Sequence, residues 1–129
     1  MISPMGSPDS PERNPPQLEV ELFEREGVQI VALSGELDLR SADELQVALD
    51  RACTGDQARV CLDLVGLQFI DSTGLAIVIR CHQDTAAAGG ALVVVCAAGH
   101  VRRTFETTGL MAMLRVVDSA DEALEALGS

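Results

Sequence analysis

Patterning begins at Leu18. Leu18, Val20 and Leu22 alternate with Glu19, Glu21 and, further on, Glu24. A period of two puts one set on a buried face and the other in water, which predicts a half-buried strand. Arg25-Glu26-Gly27 reads as a turn and Val28 to Leu33 as a second strand, so the two predict a hairpin. The period then changes. Ala42, Leu45, Leu49 and Ala52 recur at spacings of three and four, which predicts a helix ending near Thr54-Gly55. Ser41-Ala42-Asp43-Glu44 in front of it has the form of a capping box. In that motif the serine hydroxyl accepts from the Glu44 N–H while Glu44 reaches back.

Ala58 to Leu64 is an apolar run broken only by Asp63, and it predicts a central strand. Thr73 to Ala88 carries opposing signals. Ile77-Val78-Ile79 favours a strand locally. Length and the Ala86-Ala87-Ala88 run before Gly89-Gly90 favour a helix, with Leu75, Ile79, His82 and Ala86 on one face. Leu92 to Cys96 predicts another strand, Val101 to Thr108 a helix stopped by Gly109, and Leu114 to Val117 a last strand. Ser119-Ala120-Asp121-Glu122 repeats the capping-box form and opens a helix through Leu127. The predicted order is ββαβαβαβα. Strands alternating with helices imply an α/β fold, with a mixed or largely parallel β-sheet and covering helices.

Composition adds the outline. The chain has 129 residues, of which 47 % are apolar, which suits one folded domain. All five prolines lie between Pro4 and Pro16, so residues 1–17 predict a disordered tail and 18–129 the domain. No apolar run reaches the roughly 18–20 residues of a membrane span, and the N-terminus lacks the basic-then-apolar form of a secretory signal. A cytoplasmic protein is expected. The net charge of −11 comes with nine arginines and no lysine. Such a charge repels phosphate backbones and anionic lipid, so neither nucleic acid nor membrane is expected as a direct partner. It suits a basic protein partner, or serves only solubility. Four cysteines without a Cys-x-x-Cys pair and two histidines offer no zinc-site spacing. No metal or cofactor is expected. The cysteines read as small buried hydrophobes, with a disulfide switch left open because spacing alone fixes no distance.

Candidate chemistry gathers where the central strand meets the next helix. Asp71-Ser72-Thr73-Gly74 places two hydroxyls at a helix start, where backbone N–H groups are unpaired and the helix dipole favours an anion. A phosphate on Ser72 would add about −1.5 to −2 charges beside Asp71 and repel a partner docked there. The same residues also read as plain structure: Ser72 or Thr73 as the N-cap, Gly74 for close backbone approach, Asp71 as a solvated capping acid.

The stretch Phe69-Ile70-Asp71-Ser72-Thr73-Gly74-Leu75 resembles the signature of STAS-domain anti-sigma factor antagonists: Asp-Ser-Ser/Thr-Gly-Leu after two apolar residues. Ser34-Gly35-Glu36-Leu37-Asp38 resembles that family's Gly-Glu-Leu-Asp loop before the first helix. Gly89-Gly90 with the Leu92–Cys96 strand, Val101-Arg102-Arg103-Thr104-Phe105, and Thr108-Gly109-Leu110 resemble later parts of it, in order. The resemblance runs from Leu18 to Leu127 and implies the STAS fold. It also implies a partner-switching role in transcription. The unphosphorylated antagonist binds an anti-sigma factor of the serine-kinase type and so frees a sigma factor. Phosphorylation of the serine matching Ser72 ends the interaction, and a metal-dependent serine phosphatase restores it. Asp38, Asp71, Ser72, Thr73 and Gly74 are then the expected partner-binding residues. None is catalytic, since Ser72 is a substrate, and the protein is not expected to be an enzyme.

Cys61, in the strand leading to this site, and Cys81, in the helix after it, are the first candidates for thiol control. His82 and His100 are expected in surface or packing roles. Two other roles share the fold: a thiol-regulated antagonist that phosphorylation does not control, and a regulatory subunit of a membrane transporter complex. An aspartic-protease loop is also similar, but here its glycine is displaced by one position and the surroundings are helical.

Overall fold

The computed structural model describes residues 17–53 and 55–128. The proline-rich residues 1–16 expected as a tail lie outside the described residues, as does Thr54. Strands β1 (Leu18–Arg25) and β2 (Val28–Leu37) form the hairpin, followed by α1 (Ala42–Ala52), β3 (Arg59–Ile70) and α2 (Ser72–Ala87). Then come β4 (Ala91–Val95), α3 (His100–Thr108), a 3-10 turn at Leu110–Ala112, β5 (Arg115–Val117) and α4 (Ala120–Gly128). The order ββαβαβαβα is the one the patterning predicts.

The sheet is ordered β1-β2-β3-β4-β5. β1 runs antiparallel to β2, and the remaining neighbours are parallel. Each parallel pair needs a crossover, and α1, α2 and α3 supply them on one face. There Val31, Leu33, Leu62, Leu64 and Val94 pack with Leu45, Leu49, Val78 and Phe105. On the other face α4 lays Ala123, Leu124 and Leu127 over Val28, Ile30, Cys61, Val93 and Val95. Cover on both faces is why Leu92–Val95 is buried without alternation.

Two strands run further than their patterns predict: β2 to Leu37 instead of Leu33, and β3 to Ile70 instead of Leu64. Register slips between Ala32 and Ser34, and again between Gly35 and Glu36, break the period of two. Gly35 has φ +99°, and a Cβ there would lie 2.3 Å from the Gln17 carbonyl oxygen, so this bulge requires glycine. The Ser34–Leu37 segment expected as a loop is therefore bulged strand.

The capping box expected at Ser41 does not form. Ser41 is only 1 % exposed, and the Glu44 N–H bonds its carbonyl at 3.2 Å instead of its hydroxyl. The hydroxyl accepts from the Asp38 N–H and donates to the Glu36 carbonyl, each at 3.1 Å. It knots the turn before α1 by tying the end of β2 to the backbone that follows it. The second box forms in shifted form: Ser119 Oγ accepts from the Glu122 N–H at 3.2 Å, while Glu122 reaches the Asp118 N–H at 3.0 Å. In α2 the buried face is Gly74, Leu75, Val78, Cys81 and Thr85, rotated from the Leu75, Ile79, His82, Ala86 line expected. Ile79 and His82 are then only half-buried, and Ala86 is exposed.

Candidate functional site

Parallel strands end together, and the ends of β2 and β3 build the site. Leu37 pairs with Ile70, and the Asp71 N–H donates to the Leu37 carbonyl at 3.1 Å. Asp38 and Asp71, far apart in sequence, thus leave the sheet side by side.

Asp71 is the N-cap of α2. Its backbone is extended and its Oδ1 accepts from the Gly74 N–H at 3.0 Å. The cap is therefore neither Ser72 nor Thr73. Ser72 becomes the first helical residue and is exposed, while Thr73 is half-buried. Gly74 is buried, and a Cβ there would stand 2.8 Å from the Leu37 side chain and 2.9 Å from Ile70. Its lack of a side chain seats the first turn of α2 on the strand ends, so Gly74 shapes the surface without forming part of it.

Asp38 is held from three sides. It accepts from the Gln17 amide at 2.6 Å, the Arg40 N–H at 2.9 Å and the Arg40 guanidinium at 3.4 Å. Desolvation pushes its carboxyl up, but the Arg40 N–H, the Gln17 amide and the Arg40 charge together outweigh it and leave the group below its ordinary value. Asp38 is thus an oriented carboxylate. Gln17, placed in the tail by composition, also accepts the Glu36 N–H on its carbonyl at 2.8 Å. No periodic signal marks Gln17, because its role depends on β1 returning beside the bulge.

Apolar surface surrounds these groups. Leu39 is 74 % exposed, and Phe69, 39 % exposed, stacks on His100 with centroids 6.3 Å apart and planes 12° off parallel. A shallow groove continues along Ser72, Thr73, Ala76, Ile77 and Arg80 of α2, with Gln46 of α1 on its far wall. A carboxylate, a free hydroxyl and exposed apolar side chains on one open face can seat a protein and can accept a modifying group.

The thiols lie elsewhere. Cys61 points to the α4 face, where burial, with Asp63 adding to it, pushes the thiol up to about 11. Cys81 points to the opposite face of the sheet. The structure does not bring Cys61 and Cys81 together; the Sγ of Cys81 lies 3.2 Å from that of Cys53, a residue no sequence motif singles out. His82 is half-buried on α2, and His100 is exposed under Phe69.

An α/β domain with an open apolar-and-acidic face and an exposed serine at a helix start is the class of molecule these features define. The STAS domain family profile matches residues 19–123, and the chain belongs to that family. An anti-sigma F factor antagonist of Paenibacillus polymyxa is 32 % identical over 111 residues, covering 85 % of this chain and 95 % of that one. The crystal structure of an anti-sigma factor antagonist from Mycobacterium paratuberculosis superposes with a TM-score of 0.79 at 26 % identity, over 87 % of this chain and 95 % of that one. The Bacillus cell fate determinant SpoIIAA in its phosphorylated form shares the fold, with a TM-score of 0.61 at 19 % identity, over 84 % of this chain and 98 % of that one. Among the described residues no helix is long and apolar enough to cross a membrane.

Proposed function

We propose that this protein is an anti-sigma factor antagonist of the cytoplasm. It binds an anti-sigma factor of the serine-kinase type and so releases a sigma factor, until phosphorylation of Ser72 ends the contact. A serine phosphatase resets it. The observation that carries this reading is the position of Ser72. Asp71 already occupies the cap, so the Ser72 hydroxyl is exposed at the first helical position and has no structural duty there. The names of the relatives from Paenibacillus and Mycobacterium support the partner class.

The partner rests on the face formed by Asp38, Leu39, Phe69, Asp71, Ser72 and Thr73. Gly74 and Ser41 keep that face in shape. A phosphate on Ser72 adds about −1.5 to −2 charges. The α2 dipole and its unpaired first-turn N–H groups stabilise the added anion, so the domain stays folded. The partner instead meets new negative charge beside Asp71, on a chain already at −11. Binding is lost while folding is kept.

The test is incubation with the anti-sigma kinase and ATP, followed by mass mapping and a binding assay. One phosphate on Ser72 and loss of the complex are expected, with Ser72→Ala binding normally and resisting the kinase. Phosphate on another residue, or equal loss of the complex in Ser72→Ala, overturns the reading.

A further inference from the structure

Cys53 ends α1 and faces Cys81 in the middle of α2, with sulfurs 3.2 Å apart. The Thr85 hydroxyl donates to the Cys53 sulfur at 3.4 Å and lies 3.8 Å from that of Cys81. Three groups from two helices thus form one cluster outside the partner face. Its members differ in access. Cys61, Cys81 and Cys96 are buried, whereas Cys53 is half-buried and meets solvent. They differ in proton affinity too. Hydrogen bonding from Cys81 lowers the Cys53 thiol to about 7 against burial and against the Asp50 and Asp84 carboxylates, with Thr85 helping. Cys81 is pushed up, first by keeping its proton for Cys53 and then by burial. One sulfur is available as a thiolate, and the other waits behind it as a thiol. That division of labour is what a peroxide-reactive pair requires.

We propose that Cys53 and Cys81 form a redox-active dithiol that is oxidised by small hydroperoxides to an intramolecular disulfide. The Cys53 thiolate attacks the terminal oxygen of the hydroperoxide. An S–O bond forms, the O–O bond breaks, and the departing oxyanion takes a proton and leaves as an alcohol, or as water from hydrogen peroxide. Cys81 then attacks the Cys53 sulfenic sulfur. The S–S bond forms, the S–O bond breaks, and the hydroxide leaves as water with the proton Cys81 gives up. In total the two thiols lose two electrons and one hydroperoxide gains them. Closure to the disulfide length of about 2.05 Å asks the sulfurs to approach by only about 1.2 Å. The bond ties the end of α1 to the helix that carries Ser72, and it forms whatever protein binds at Ser72.

The experiment treats the full-length reduced protein with hydrogen peroxide and maps its peptides without reductant. A Cys53–Cys81 disulfide about 2 Da lighter than the dithiol is expected, reversed by dithiothreitol. In Cys81→Ser the reaction should stop at a sulfenic acid on Cys53, trapped by dimedone. Alkylation of Cys53 by iodoacetamide should rise about tenfold from pH 6 to pH 8 and then level off, following a thiol near 7. A disulfide that uses Cys61 or Cys96, a link between two chains, or alkylation still climbing steeply past pH 8 overturns the proposal. Should Cys81→Ser fold poorly, the wild-type peptide map decides alone.

Discussion

Helix α2 carries a hydroxyl at its first residue and a thiol in its middle, and the two stand in opposite surroundings. Ser72 is exposed at the positive end of the helix dipole, where an added anion is stabilised. Cys81 is buried against the C-terminal end of α1, where the dipole opposes an anion. The Cys53 thiolate there depends on hydrogen bonds from Cys81 and Thr85. Chemistry at the exposed end changes what the surface offers a partner and leaves the core alone. Chemistry at the buried pair changes how two helices are joined and leaves the partner-facing side chains in place. One helix can therefore hold a binding switch and a covalent staple that do not share atoms.

The largest expected effect tests the first half of that contrast. Ser72→Glu should weaken partner binding roughly a hundredfold, about 3 kcal/mol, while the thermal midpoint stays within a few degrees of wild type. Calorimetry of both binding and unfolding measures it, and parallel losses in the two would erase the distinction between surface and core. Gly74→Ala should instead lower stability and binding together. Its Cβ meets Leu37 and Ile70, so overpacking of about 1–3 kcal/mol should appear in denaturant unfolding, with partner affinity falling because the helix start is displaced. Stability equal to wild type would mean that the first turn is not seated on the strand ends.

Smaller effects sharpen the role of the polar knot. Ser41→Ala removes two hydrogen bonds and leaves the Asp38 N–H and Glu36 carbonyl short of partners, at about 1–2 kcal/mol in urea unfolding. A neutral result would return Ser41 to an ordinary position before α1. Asp71→Ala should cost about 1 kcal/mol as a lost cap, and Asp71→Asn only a few tenths, because asparagine caps as well as aspartate. Equal losses in both variants would show that the charge of Asp71 matters more than its hydrogen bond to Gly74.

Much of this architecture is legible along the chain. Alternation at Leu18–Leu22, the three-and-four spacing from Ala42 to Ala52 and the punctuation at Gly89-Gly90 and Gly109 name the elements in their observed order. These signals are local, since burial on one face imposes its period on consecutive residues. Patterning fails where two strands meet irregularly. The ends of β2 and β3 contain register slips at Gly35 and opposite Gly66, and a slip erases the period that would mark a strand. Ser41 misleads for a related reason. Its motif fits a capping box, but the tertiary turn offers its hydroxyl two buried backbone partners instead.

By itself, then, the sequence determined the α/β class, the element order, and the serine at a strand-to-helix junction, because each is written in neighbouring residues. Only the tertiary structure decided that Asp71 is the cap and Ser72 the free hydroxyl, that Gln17 steadies Asp38, and that the partner of Cys81 is Cys53 and not Cys61. Those pairings join residues that lie apart in the chain. Which side of the sheet a cysteine faces, and which helix end comes to meet it, follow from how the crossovers pack, and no spacing along the chain carries that information.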